Sequence, residues 1–512
     1  MSDFEEQREK KLLRLYTTLD KIILIGIYLF LAIPIVIWLW FWFKWYVSIP
    51  CIGATLYGFS IFKKNIKVKT LVDYKKIFNV KNLAIASVLI LGLNLLSGAG
   101  GLMFQNWDYH SRNAVLHDLV ERKWPVKFQF APGSSEAEFI GSDEGLLSYY
   151  LAWFLPAAAI GKVAKSFAVA SIFSFFWLYF GVMGVCYLIF RFFKRSKLWI
   201  LLILLAITGV DCIAYTLDRL IIKNQFVLPN MINYLDTPLQ MFAFHGILTH
   251  WFWVFNQAIP IWLVTLLFLD NKKLDLAGIY LSLALPYAPF PAIGLFLIML
   301  KEVFIHLRQT GAKKTFLGLL NLKNIIPVLG IIPILILYRQ NSSTFGLTFS
   351  RPYVSFQEYL ISYIIYLVFE VLIFLIILTK KNKGVVLYSI LLLTFLPLFY
   401  LGGGVDFGNR TTIPVMILLF IEVVNFCLEE QKNKYRLWGL RIILLLSLPT
   451  SITEINRSLN YTYHKPPTSY RLESDSYKTL ADFEHNESKI FIKNFITKCP
   501  KNQNFFTRYI LK

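Results

Sequence analysis

Residues 146–160 read LLSYYLAWFLPAAAI, and whether they cross a membrane decides the topology of everything after them. Hydropathy alone suits a crossing. A crossing would send the cluster Arg191, Lys194, Arg195 and Lys197 to the outer side, against the bias that keeps Lys and Arg cytoplasmic. The segment is therefore expected to lie on the outer membrane surface. Its aromatics suit the headgroup region, and Pro156 weakens a straight crossing helix.

The rest of the chain demands a bilayer. Of 512 residues, 56% are hydrophobic and 16% charged, against about 25% charged in soluble domains. No single globular core hides so much apolar surface. The apolar residues come in blocks near the roughly 20 residues of a spanning helix, without the alternation of a barrel strand. A soluble enzyme, a disordered chain and a transmembrane barrel are excluded. The expected fold class is an all-α polytopic membrane protein of about thirteen spans: 22–43, 46–62, 82–104, 166–190, 198–215, 252–269, 274–285, 290–300, 324–338, 357–378, 384–401, 412–428 and 437–452. The pair 274–285 and 290–300 surrounds Pro286, Pro289 and Pro291, which break helices, so it could be one kinked hairpin.

Basic residues set the orientation. With the N-terminus inside, the inner loops 1–21, 63–81, 191–197, 270–273, 301–323, 379–383 and 429–436 hold 29 Lys and Arg in 87 residues. The outer loops 44–45, 105–165, 216–251, 339–356 and 402–411 hold 12 in 127 residues. The net charge of +21 is then mainly an orientation signal, and no nucleic-acid partner is expected. An odd span count leaves 453–512 outside. The expected location is the plasma membrane, with the N-terminus cytoplasmic and the C-terminus extracytoplasmic. Five scattered cysteines show no metal or disulfide spacing. The charged first 20 residues do not resemble a cleavable signal peptide.

The first large outer loop, 105–165, is far longer than an ordinary connection. The chain enters it as FQNWDYHSRNAVLHDLVERKWPVKF, residues 104–128. Asn113–Lys123 reads as an amphipathic surface helix, with Val115, Leu119 and Val120 on one face. Asp108 sits at its entrance, at headgroup level, where a carboxylate can act as a general base or a metal ligand. The plainer reading is a polar helix end. His110 and His117 read as interfacial histidines ahead of a metal pair. Asp211 lies deep in span 198–215, where an ionisable residue is a site hypothesis by default, or else only near its outer end. Further outward polar groups are Asp218, Arg219, His245 and His250, then Arg351, then Asp406, Asn409 and Arg410 in LGGGVDFGNRTTIP, residues 401–414. Arginine suits a phosphate because its planar fork makes paired hydrogen bonds and stays charged. Gly402–Gly404 allows close backbone approach or simply a tight turn.

Within the spans ionisable residues look sparse, with Glu370 and Glu422 the clear ones. That counts against an ion-coupled transporter. No nucleotide-binding or hydrolase motif stands out. The tail 453–512 reads as a small outer domain, with KIFIKNF (489–495) alternating like a strand. Asn456 and Asn460 fit the glycosylation pattern.

A basic start, a helix ending at an acidic residue, and a long outer loop with surface helices resemble the GT-C superfamily of membrane glycosyltransferases. In that family a Pro-Leu-Tyr-Tyr-Trp segment follows the first-loop acid and precedes a span ending in basic residues. GLLSYYLAWFLPA, span 166–190 and RFFKRSK are similar. WDYHSRNAVLHDL, WFWVFNQAIPIWL and DFGNRTTIP also resemble, in order, a set of bacterial polytopic proteins of this type. The likeness covers roughly 82–430. It makes 1–81 a cytosolic start plus an added hairpin, 82–452 the GT-C-like module, and 453–512 an extracytoplasmic tail.

The resemblance implies a sugar donor carried on polyprenyl phosphate, a glycan or glycolipid acceptor, and contact with membrane lipids. Asp108 would be the base, with Asp118 a second carboxylate. Arg410 and Arg351 would hold the donor phosphate. His110, Arg112, Asp406, Arg219 and His250 would complete the substrate site. A divalent metal (Mg or Mn) stays open as cofactor, because no adjacent acidic pair flanks Asp108. The acid-bearing loop also follows a third span rather than the first. The rival readings are a lipid-linked glycan polymerase or ligase, a lipid or solute transporter, and a non-catalytic scaffold.

Overall fold

The computed structural model describes residues 2–232, 235–236, 239, 242–340, 347–349, 355–401, 405–429, 433–464, 479–481, 494–499 and 505–512. Arg351 and Gly402–Gly404 lie outside the described residues. The bundle starts with α1 (Ser2–Trp42), 41 residues in one helix. At 1.5 Å per residue it is about 60 Å long, so its charged first half extends beyond any apolar zone. α2 (Trp45–Lys64) returns beside it. α3 (Leu71–Ile77) and α4 (Val80–Leu96) meet at 41°.

α4 ends at Leu96 rather than at 104. The chain turns at Gly98, φ 82°, where a Cβ would lie 2.3 Å from the Phe104 carbonyl oxygen. Only glycine fits there. The long loop then folds as α5 (Tyr109–Glu121), β1 (Lys127–Gln129), α6 (Ser135–Ile140), β2 (Glu144–Leu147) and α7 (Leu155–Ala164). α7 has ten residues, about 15 Å, too short to cross. The 146–160 segment therefore does not span, as the charge argument requires. Its aromatics are not on the membrane surface, however. Leu151, Trp153, Phe154 and Leu155 are buried, because the segment is wedged between α5, α1 and α8 (Phe167–Phe192).

α9 (Leu198–Ala206) and α10 (Asp211–Ile222) form one span broken at 207–210. α11 (Ile247–Asn271) is the most buried of the spanning helices, at 94% of its window. Next come α12 (Ala277–Ala284) and α13 (Pro289–Thr310). Lys272, just before α12, pairs with Glu302 of α13 at 3.5 Å, so the two arms are joined at one end. The tip between them is held by the Tyr287 hydroxyl, which donates to the Leu31 carbonyl in the middle of α1 at 2.9 Å. α13, with 22 residues, is long and apolar enough to span, whereas α12 has eight residues, so 274–300 holds a short helix followed by the start of a span rather than two like crossings. α14 (Ala312–Leu319) precedes α15 (Leu322–Gly330) and α16 (Ile332–Gln340), a pair bent by 50°.

α17 (Phe356–Tyr366) begins with a Ser355–Glu358 capping box and continues through a π turn at Leu367–Val371 to Ile377. α18 (Lys383–Phe395), α19 (Asp406–Thr411), α20 (Ile413–Glu429) and α21 (Lys434–His464) complete the bundle. Among the described residues eight helices are long and apolar enough to span, or ten if each bent pair is one span. The chain is an all-α multi-pass membrane protein.

α21 does not stop at 452 but runs to His464, so Asn456 and Asn460 are helical. The described parts of the tail pack on the other outer segments. β3 (Leu347–Phe349) pairs with β4 (Phe399–Leu401), while β5 (Ile496–Lys498) adds to β2 in the order β1-β2-β5. The strand starts just beyond the expected 489–495, of which 489–493 lie outside the described residues. The last residues return to the α1–α2 turn, where the Lys44 amide donates to the Ile510 carbonyl at 3.0 Å.

The other end gathers the basic loops. Arg191 does not belong to an exposed loop. It lies in the last turn of α8 and is 1% exposed. Its guanidinium pairs with Asp20 of α1 at 2.8 Å and with Asp270 of α11, and donates to the Lys67 carbonyl. Tyr74 donates to Asp20 at 2.9 Å, and Lys69 pairs with Asp270 at 2.8 Å. A buried guanidinium is tolerated only with its donors satisfied. Arg191→Met is therefore expected to destabilise the detergent-solubilised protein by about 3–5 kcal/mol. Adding Asp20→Asn should recover part of that loss. Thermal unfolding of the single and double variants checks this, and a fully stable Arg191→Met would contradict it.

Candidate functional site

At the end opposite the basic loops, three segments remote in sequence meet. The first is the start of α5. Asn106 donates to the Phe252 carbonyl at 3.0 Å and accepts the Asp108 amide at 3.2 Å, which fixes the entry to the helix. Asp108 does not cap α5 with its side chain. It pairs with Arg112 one turn on, at 2.7 Å. Arg112 is buried, with its guanidinium 5.2 Å from the Phe255 ring centre and 5.6 Å from that of Tyr109. Its Nη1 has no hydrogen-bond partner.

The second segment is Tyr149–Tyr150, two rings stacked at 4.7 Å. Burial pushes the Tyr149 hydroxyl up from its ordinary pKa, Arg112 and Arg410 pull it down, and Asp108 raises it. These charges converge on one hydroxyl, which stays neutral and able to donate. Tyr150 lies within reach of Asp406 and Arg410.

The third segment is α19. Asp406 and Arg410 pair at 3.3 Å across one turn. The Asn409 carbonyl faces His250 Nε2 of α11 at 3.3 Å. Among the described residues His250 Nδ1, Asn409 Oδ1 and both polar atoms of the Asn256 amide are buried with no hydrogen-bond partner of good geometry. Asn256 nevertheless lies beside the Tyr149 hydroxyl. Buried donors and acceptors left over in this way suit the binding of something polar.

The structure brings together Asp108, Arg112, Asp406, Arg410 and His250 from the sequence-derived set. It separates others. Asp118 is 1% exposed and fully used: it accepts from Arg122 Nε at 2.9 Å, Thr479 at 2.7 Å and the Leu480 amide at 2.9 Å. It anchors the tail, and the structure does not bring it to Asp108 and Arg410. Arg219 lies over the Tyr215 ring at 5.2 Å, next to Asp218, which Ser362 engages. Among the described residues no contact joins Arg219 to Asp108. His110 lies tilted against the Trp107 ring at 4.8 Å, and His117 packs edge-on against Phe167.

Asp108 and Asp406 each carry their own arginine. Among the described residues no three His, Cys, Asp or Glu side chains are set to hold a metal ion.

Tyr149, Tyr150 and Asn256 are additions, and Asn409, expected as an outward polar group, joins them through its carbonyl. The two tyrosines lie in the segment whose aromatics suit the membrane surface, and the one signal for Asn256 is the amide pair Asn256-Gln257 inside an apolar span. No protein-family model, no curated protein and no solved structure matches the chain.

Asp118→Ala is expected to expose the segment around 479–481 to limited proteolysis and to cost about 1–3 kcal/mol from stranded donors, while ligand binding at Tyr149 persists. Loss of binding with an unchanged proteolysis pattern would contradict the anchoring role.

Proposed function

We propose that the chain is a plasma-membrane glycosyltransferase of GT-C type. It would move a sugar from polyprenyl phosphate to an envelope glycan or lipid on the extracytoplasmic face. The observation that carries this reading is the convergence of Asp108, Arg112 and Arg410 on the buried Tyr149 hydroxyl. Two guanidinium groups and a neutral hydroxyl make a receptor for a phosphate monoester or diester. A carboxylate beside them suits a proton acceptor.

The chemistry follows from those roles. The donor phosphate takes hydrogen bonds from Arg112, Arg410 and Tyr149. By competing for Arg112 it loosens the Asp108–Arg112 pair and leaves the carboxylate open to the acceptor. The acceptor hydroxyl gives its proton to Asp108 as its oxygen bonds to the anomeric carbon. The bond from that carbon to the phosphate oxygen breaks, and the electron pair leaves with the lipid phosphate. The two arginines meet the developing charge.

A small apolar crevice of about 20 Å³ lies between Leu89 and Leu93 of α4, Val182 and Cys186 of α8, Leu201 and Leu205 of α9, and Trp251 and Trp262 of α11. It has room for a group the size of a water and not for a polyprenyl chain, so that chain would lie in the bilayer against the spans.

A transporter is the second reading. It is favoured by one observation: the acids Asp211, Asp236 and Glu370 are fully buried where spans are broken.

Asp108→Asn is expected to lower transfer by about 10²–10⁴-fold with normal expression and insertion. Arg410→Lys should weaken donor use because the ammonium lacks the paired donors. Mass spectrometry of envelope glycans in a deletion strain, complemented by each variant, reads both effects. Full complementation by Asp108→Asn would refute the proposed base.

A further inference from the structure

α9 stops at Ala206, the chain runs non-helically through Ile207–Val210, and α10 resumes at Asp211. Asp211 is near the middle of the span Leu198–Ile222. Glu370 sits in the π turn of the neighbouring span, where the Val210 amide donates to the Phe369 carbonyl at 3.0 Å. Gly209 makes this approach workable, because a Cβ there would lie 2.6 Å from Glu370 Cγ. The Glu370 side chain thus runs across Gly209, two residues from Asp211. Asp236 reaches the same place from the loop before α11, accepting the Gly246 amide at 3.1 Å.

We propose that Asp211, Asp236 and Glu370 form a proton-binding site at mid-depth in the bundle, their carboxyl groups sharing exchangeable protons. All three are 0% exposed. The Thr208 hydroxyl lies 3.0 Å from Asp211 Oδ2 and 3.3 Å from Asp236 Oδ1. Its one proton serves one of them at a time. Thr450 donates to Asp211, and His245 Nδ1 is 3.1 Å from Asp236 Oδ2. Glu370 arrives from a different element, and among the described residues both of its carboxyl oxygens and Asp211 Oδ1 have no hydrogen-bond partner.

The titratable and charged groups around the three acids are Cys212 of α10, His245, Tyr366 of α17, and Glu454 and Arg457 of α21. With Glu454 there are four carboxylates. The cationic groups recorded against them among the described residues are Arg457 and, if protonated, His245. Ionised carboxylates in a dry interior without donors are strongly disfavoured, and protonation removes the excess charge. A shared metal ion is the weaker reading, because no three such side chains among the described residues have metal-ligand placement. The cluster also communicates with the pocket above it: the His245 and His250 rings are 5.6 Å apart, and His250 faces the Asn409 carbonyl.

The test is infrared difference spectroscopy on the full-length protein in lipid nanodiscs after a pH jump. The expected signal is a carboxylic-acid carbonyl band that bleaches at high pH and shifts in deuterated buffer. Glu370→Gln, which keeps the shape of the neutral acid, should remove much of that band. Asp211→Asn should shift or reduce what is left, and Glu422→Gln should leave it unchanged. Absence of the band in the wild type, or a band indifferent to both Glu370→Gln and Asp211→Asn, would overturn the proposal. So would thermal stabilisation by sodium over choline that Glu370→Gln abolishes, since the ligand would then be a metal cation. The readout needs no transfer activity.

Discussion

One buried guanidinium determines how this bundle stands. Arg191 of α8 is enclosed by Asp20 of α1, Asp270 of α11 and the Lys67 carbonyl, with Tyr74 and Tyr187 on the same carboxylate. In a low-dielectric interior such a group has few alternatives, because each lost partner strands a charge. The clamp sets the level of three helices at one end of the bundle. Those same helices support the pocket at the other. Phe30 of α1 stacks on Trp177 of α8 at 4.1 Å and meets Trp153 edge-on at 6.1 Å. Trp153 meets Phe255 of α11 at 5.7 Å, and Phe255 carries the Arg112 guanidinium. A chain of rings thus connects the clamped helices to the cation of the candidate site.

The pieces of the architecture that hydropathy can see were legible. The span expected at 166–190 is the helix Phe167–Phe192, because a long apolar run has little other choice in a bilayer. Pro286, Pro289 and Pro291 marked the break between α12 and α13. What a window average cannot see is pairing. Arg191 counted as a loop charge, yet its partners lie 171 and 79 residues away. Asp211 stands deep in its span in the sequence already, whereas nothing local marks Asp236, which the Gly246 amide and the Thr208 hydroxyl bring beside it.

The candidate site was half legible. Asp108 and Arg410 stood out because charges on the poorer-charged side are few. Their convergence, through Tyr149 and the 159-residue step from His250 to Asn409, depends on long-range packing that no local pattern encodes. Asp118 shows the opposite failure. Its spacing on α5 marks it as a surface acid, while the tail returning from 479–480 buries it. The pocket and the acid cluster form two polar layers joined by His245 and His250, so proton handling at depth is compatible with chemistry above it.

The central claim is that the Arg112–Arg410–Tyr149 pocket receives a lipid phosphate. The most direct measurement is binding of a short-chain polyprenyl monophosphate to the purified protein, compared with the Arg112→Gln/Arg410→Gln double variant. The predicted result is saturable binding by the wild type and binding weaker by about tenfold or more in the variant, since a hydrogen bond to a charged group is worth roughly 1.5–3 kcal/mol. Equal affinity in the two proteins, with both folded, would contradict it.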